Sequence, residues 1–327
     1  MAACRDIGYV LDKLAWMRTE GIWPNGLRYL WTDAFGVVLL VSLHAELKDL
    51  QYLEQARALV ADVERVLGRP RGLRIGEAPD RGGQYYHYLA MWMYALAVLG
   101  RYVPEYKARG IQLARDVHDA FVVPEHGVWW KMREDLSGPD PEFAGFGALD
   151  AFDGYVSYRL LDDSALAPQI ADLRQLVERS YPDLLINQDL GIGMMLWMTQ
   201  FFPHENWAVT QRNRCLRMLD RLWTDGSYFC RGPGLPDVKF AFTNYGVAIG
   251  LQAVGAMSER VDRLHSFFEG YRSRDEYDRE AITHVMACCS HLPGYMLQGY
   301  ASRAATRLRD SSQVRTRLAS AIRVYLP

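Results

Sequence analysis

The chain has 327 residues, half of them apolar, and a formal net charge of −2. That supports one large core or two ordinary ones, and no Lys/Arg cluster is dense enough to follow a nucleic-acid backbone, the arginines between positions 303 and 323 being spaced as on a solvated helix face. No uncharged apolar run approaches about 18 residues, no secretory pattern opens the chain, and five cysteines form no CxxC pair, which reads as a soluble, cytoplasmic protein without a membrane span and with free thiols.

Helical periodicity dominates in chain order. Stretches at about 31–47, 84–101, 147–160, 188–202, 241–256 and 278–290 carry apolar residues on nearly every side and predict helices buried all round. Amphipathic stretches follow at about 50–67, 105–121, 165–180, 206–222 and 258–270; in the first, Leu53, Ala56, Leu59, Val63 and Val66 share one face. The sixth partner is either the segment at 5–18 or the tail near 311–324. Short strand signals at 128–132 and 227–230 predict hairpins. Runs rich in Gly and Pro at 68–83, 138–147 and 231–236 precede buried helices as long, functional loops. Alternating buried and half-exposed helices describe an all-α (α/α)6 barrel: one domain over 1–327, two concentric rings of helices, with short β-hairpins in the rim loops. A solenoid is the alternative, but no fixed-period repeat supports it.

Six polar openings precede the buried helices: Trp31-Thr32-Asp33, Asp80-Arg81-Gly82-Gly83-Gln84, Gly147-Ala148-Leu149-Asp150, Asn187-Gln188-Asp189, Thr243-Asn244-Tyr245 and Asp278-Arg279-Glu280. In a ring they meet at one rim around a funnel. Asp150 and Asp153 lie three apart on one helix face; two close carboxylates repel, one pKa rises, and an acid and a base result. Asp150 reads equally as a helix cap; Asp153 is a turn too deep for capping. Asp80 precedes two glycines that let backbone approach a ligand. Gln84, His87 and Met91 share one helix face, so Gln84 and His87 are expected to point together, and histidine suits proton transfer near neutrality. Asp189, Asn244 and Tyr245 open two further helices. His284, in the middle of its helix, fits a hydrogen-bonded core histidine at least as well as a site. Trp129-Trp130-Lys131 offers aromatic faces and a cation on a short rim strand, and such faces stack on sugar rings. The chain lacks GxxxxGK[ST], GxGxxG, HExxH and GxSxG, so neither a bound cofactor nor a metal is expected.

The six-hairpin rhythm resembles the six-hairpin glycosidase-like superfamily, over nearly the whole chain at the level of architecture. Its members include glycoside hydrolases, unsaturated glucuronyl hydrolases and, more distantly, sugar 2-epimerases. More locally, Trp130-Lys131-Met132, Asp135-Leu136-Ser137, Asp150 and Asp153-Gly154 are similar to a stretch in bacterial proteins of this fold. The resemblance implies a carbohydrate-active enzyme taking a sugar or uronic acid. A hydrolase would use Asp153 and Asp80, with Asp150, Gln84 and His87 orienting substrate and Trp129 or Trp130 stacking on it. An epimerase would use His87 and His284. Two other classes stay open. A cyclase would line an apolar cavity with Tyr88, Trp92, Tyr94, Met194, Met195, Trp197, Met198 and Phe201, although the DxDD motif is missing. A non-catalytic helical binding protein would use its rim carboxylates only as caps. Oligomeric state is not legible.

Overall fold

A computed structural model describes residues 6–225, 241–272, 274 and 276–298. Its helices are α1 (Ile7–Thr19), α2 (Leu30–Leu47), α3 (Leu50–Leu67), α4 (Tyr86–Leu99), α5 (Pro104–Phe121), α6 (Asp150–Asp162), α7 (Ala167–Ser180), α8 (Asp189–Thr199), α9 (Asn206–Asp225), α10 (Ala241–Val254), α11 (Ser258–Gly270) and α12 (Ala281–His291). Every apolar stretch read from the sequence is one of these helices, and every amphipathic stretch is its partner. The predicted hairpin at 227–230, the Gly/Pro run at 231–236 and the tail helix near 311–324 lie outside the described residues.

Apolarity decides the layer. In α2, sixteen successive residues from Leu30 to Ala45 are buried, as only a helix covered on all sides allows. In α3 the buried residues form a stripe, including Tyr52, Ala56, Leu59, Val63 and Leu67, and the opposite face meets water. The inner helices close a ring: α2 packs on α4, α4 on α6, α6 touches α8, α8 packs on α10, α10 on α12, and α12 returns to α2. Each outer helix packs on the inner helix before it, and α1 completes the outer ring against α12. The sixth partner is therefore the first helix. Its two ends fix its direction: the Asp6 N–H donates to the carbonyl of His291 at 3.1 Å, while Glu20 pairs with Arg279 at 2.8 Å beyond the other end of α12.

One contact in the ring needs glycine. A Cβ on Gly193 of α8 would lie 2.4 Å from the carbonyl carbon of Gly246 of α10, and one on Gly250 would lie 2.3 Å from the Gly193 carbonyl oxygen. The two backbones touch there, closer than any side chain permits. By length and apolar composition α2 could cross a membrane. Here it is a core helix, mostly buried within the barrel.

The strands are short. β1 (Gln84–Tyr85) pairs antiparallel with β4 (Lys131–Met132), placing Gln84 opposite Met132 and Tyr85 opposite Lys131; β2 (Val122–Val123) pairs with β3 (Gly127–Val128). The predicted helix at 84–101 consequently starts only at Tyr86, because its first two residues are held extended by the rim loop.

Candidate active site

The N-terminal ends of α2, α4, α6 and α8 surround a cavity of about 390 Å³, whose lining includes Trp31, His87, Trp130, Asp150, Asp153 and Met194. Below it a narrow extension runs between the inner helices past Tyr94, Ser157 and Trp197. Asp150 is the first residue of α6 and Asp153 lies one turn in, so the helical spacing alone puts both carboxyls on the side facing the cavity. Gly147 makes room for the first of them: a Cβ there would fall 1.7 Å from Asp150 Oδ2.

Asp150 is buried and Asp153 half-buried in the cavity wall. Burial pushes the Asp153 carboxyl up to about 8. Burial raises Asp150 well above the carboxylate range too, and the charge of Asp153 adds to the rise; the backbone N–H of His87, in the first turn of α4, acts in the opposite direction. Asp150 Oδ1 is buried without a hydrogen-bond partner. His87 Nδ1 stands 3.9 Å from that same oxygen, and burial lowers the imidazole to about 3, so it is neutral at pH 7. Two of the lining residues, His87 and Trp130, are linked by a run of stacked rings through Tyr85. Trp130 lies on Tyr85 with centroids 5.1 Å apart and planes 12° apart, and Tyr85 lies on His87 at 5.5 Å and 26°. Trp31 stands edge-on to His87 at 5.6 Å. Among the described residues, no Lys or Arg lines the cavity. Among the described residues, no three His, Cys, Asp or Glu side chains converge as a metal site would require.

The sequence matches no protein-family model and no curated protein. Solved structures do resemble the chain. A family 76 α-mannanase from Bacteroides thetaiotaomicron superposes with a TM-score of 0.61 at 10% identity, over 88% of this chain and 96% of that one. A family 76 glycoside hydrolase from a bovine strain of the same species gives 0.55 at 13% identity, over 86% and 77%. A cellobiose 2-epimerase from Spirochaeta thermophila gives 0.52 at 14% identity, over 87% and 88%. The likeness is one of fold, an (α/α)6 barrel.

Within this six-hairpin barrel the rim residues separate into three groups. Asp150, Asp153, His87 and Trp130 line one cavity together. A second group braces the rim. Gln84 is fully buried and donates from Nε2 to the carbonyls of Arg71 and Glu134, at 2.9 and 2.7 Å; it does not share a face with His87, because the strand at 84–85 breaks the helical spacing between them. Lys131 turns to Asp140 at 3.0 Å. Trp129, on the opposite strand face from Trp130, packs against Phe146 at 4.4 Å. Asp189 accepts from the Leu190 N–H and from Thr243 Oγ1 at 2.6 Å, tying α8 to α10. Asn244 is buried in the first turn of α10, 3.5 Å from Thr243 Oγ1.

The third group lies elsewhere. Asp80 is exposed on the turn at 79–80 and takes no part in the cavity's lining; its two glycines serve a loop, not the funnel. Asp33 faces away too, accepting from Trp23 Nε1 at 2.9 Å and pairing with Arg28 at 3.3 Å. Tyr245 and His284 line a different cavity, of about 430 Å³, among α1, α10, α11 and α12. There His284 Nε2 meets the Asp278 carbonyl at 2.8 Å, its ring stands edge-on to Trp16 at 4.7 Å, and burial lowers it to about 4. The pairing of His87 with His284 is therefore not assembled. Of the residues considered for a cyclase cavity, Trp92, Met195 and Met198 are fully buried core, and Tyr94 and Trp197 are bound to the carbonyls of Tyr295 and Met296.

Sequence reading placed Trp31 and Gln188 at the rim and Met194 in an apolar cavity without giving them a role beside the acids, and it missed Tyr85, which joins His87 to Trp130. Trp31 had a signal, since it sits at a polar opening in front of an apolar helix. Tyr85 had none in a helical reading; only a period-two reading of 84–85 turns it away from Gln84.

Proposed function

We propose that the protein is a carbohydrate-active enzyme that hydrolyses a glycosidic bond of a neutral sugar in the funnel. The observation that carries this is the pair of a buried Asp150 and a half-buried Asp153 on one cavity with His87 and Trp130, two rings linked through Tyr85. With Asp153 raised to about 8, its carboxyl holds a proton at pH 7 and can give it to the leaving glycosidic oxygen as the C–O bond breaks. Asp150, whose ionised form the His87 N–H favours against burial and the charge of Asp153, serves as the second carboxylate once it has given up its own proton: it takes a proton from water as the water oxygen bonds to the anomeric carbon, or attacks that carbon itself. Stacked rings supply flat faces for a pyranose. Two acids and no Lys or Arg among the described lining residues disfavour a uronic acid. Two acids and a histidine on one cavity also count against a rim that only caps helices. Fold neighbours named for mannan and for cellobiose agree with a sugar.

One observation favours a second reading. A neutral imidazole 3.9 Å from a carboxyl could remove a proton next to a sugar carbonyl, which is epimerase chemistry. Incubation with neutral manno- and gluco-oligosaccharides in deuterated water separates the two: hydrolysis releases new reducing ends, and epimerisation places deuterium on carbon. We expect new reducing ends, lost by about 10²–10⁴-fold in Asp153→Asn. Near-normal turnover by that variant overturns the assignment of Asp153, and carbon-bound deuterium without cleavage overturns hydrolysis.

A further inference from the structure

We propose that the mouth of the funnel continues outward as an aromatic shelf, Phe146 then Phe143, that holds further units of an oligosaccharide chain; the inference rests on the sugar reading of the funnel. Phe143 is 38% exposed and Phe146 44% exposed. Leu27 and Leu185 are also exposed, but they lie far apart in the chain and away from the cavity lining. The two phenylalanines are three residues apart and adjoin it. Phe146 is part of the lining, and Phe143 stands 5.6 Å from Trp130, edge to face at 81°.

The loop that carries them is pinned. The Trp130 N–H donates to Gly145 O and the Gly147 N–H to Val128 O, both at 2.9 Å, and the Asp140 N–H donates to Lys131 O at 3.0 Å. The ion pair of Lys131 with Asp140 adds a side-chain clamp, and the same ammonium lies 4.3 Å from the Phe143 ring centroid. Neighbouring exposed rings on a pinned loop at a cavity mouth form a patch of the kind that marks ligand-binding grooves, unlike single scattered apolar residues.

Continuity with the funnel selects the occupant. The same aromatic line begins at His87 beside the acids, passes through Tyr85 and Trp130, and ends on Phe143. A cavity of about 390 Å³ is near the small end of ligand sites, which span roughly 300–1,000 Å³. A longer saccharide must therefore leave by the mouth, across these rings. Apolar pyranose faces suit such rings, as aromatic pairs do in proteins.

The test measures affinity against chain length by calorimetry, with the full chain carrying Asp153→Asn to stop turnover. The probes are neutral manno- and cello-oligosaccharides of one to six units. Affinity is expected to keep rising after the cavity is full, and the ratio of longest to shortest is expected to fall about two- to tenfold in Phe143→Ala. Phe143→Trp, which keeps an aromatic face, is expected to restore the rise. Unchanged thermal midpoints check that each variant is folded. If short sugars bind but affinity is flat with length, or the rise survives Phe143→Ala, the shelf is refuted and the funnel reading stands. If no sugar of any length binds, the funnel reading fails and the shelf with it.

Discussion

Replacing Asp153 by Asn should stabilise the protein as pH rises, and the size of the effect follows from the site. Burial moves this carboxyl from an ordinary 3.8 to about 8. Between those values the folded chain holds a proton that the unfolded chain has released, so folding stability is highest below about pH 4 and falls as pH rises toward 8. The slope of one such proton is about 1.4 kcal/mol per pH unit. Across a window of roughly four units this caps the loss at about 6 kcal/mol, and relaxation around the neighbouring Asp150 reduces it. Asparagine has the shape of the neutral acid and never ionises. Thermal unfolding of both proteins at unit steps from pH 4 to pH 9 is the assay. At pH 4 the midpoints should nearly coincide; by pH 8 the variant should unfold up to roughly 10 °C higher, and the gap should then level off. Activity should vanish in the same variant, the usual trade at a site that stores electrostatic strain. A midpoint difference that does not change with pH would show that Asp153 is not held neutral, and the argument for it as an acid would fail.

Three further outcomes test the framework around the site. Gly193→Ala places a Cβ against the backbone of Gly246 and should cost about 2–3 kcal/mol in chemical denaturation by forcing α8 from α10. Gln84→Ala leaves the carbonyls of Arg71 and Glu134 without their donor and should cost about 1–3 kcal/mol in thermal unfolding. Asp80→Asn, on an exposed turn, should shift stability by less than about 0.5 kcal/mol and leave oligosaccharide turnover unchanged, as a reducing-end assay would show.

The acid pair was legible because Asp150 and Asp153 belong to one helix, where a spacing of three fixes a shared face whatever the rest of the chain does. Asp80 and Gln84 were misplaced for the opposite reason. The expected position of Gln84 assumed a helix running back to 84, and that of Asp80 a loop leading into its start, but pairing with Lys131 and Met132, nearly fifty residues away, holds 84–85 extended. A local period carries no information about such a partner. His284 shows the same limit: its helix was found at the right place, yet which side of the inner ring its imaidazole faces depends on how α12 is rotated against α1 and α10.

Sequence by itself determined six buried helices, five amphipathic partners, their alternation of layers and the pair of acids, because apolar periodicity and short-range spacing are properties of a single segment. Tertiary structure alone decided that the first helix closes the outer ring, that His87 and His284 serve different cavities, and that Tyr85 and Trp130 stack above the acids. Those facts rest on contacts between segments far apart in the chain, where burial and backbone pairing select one arrangement among many that the local pattern permits.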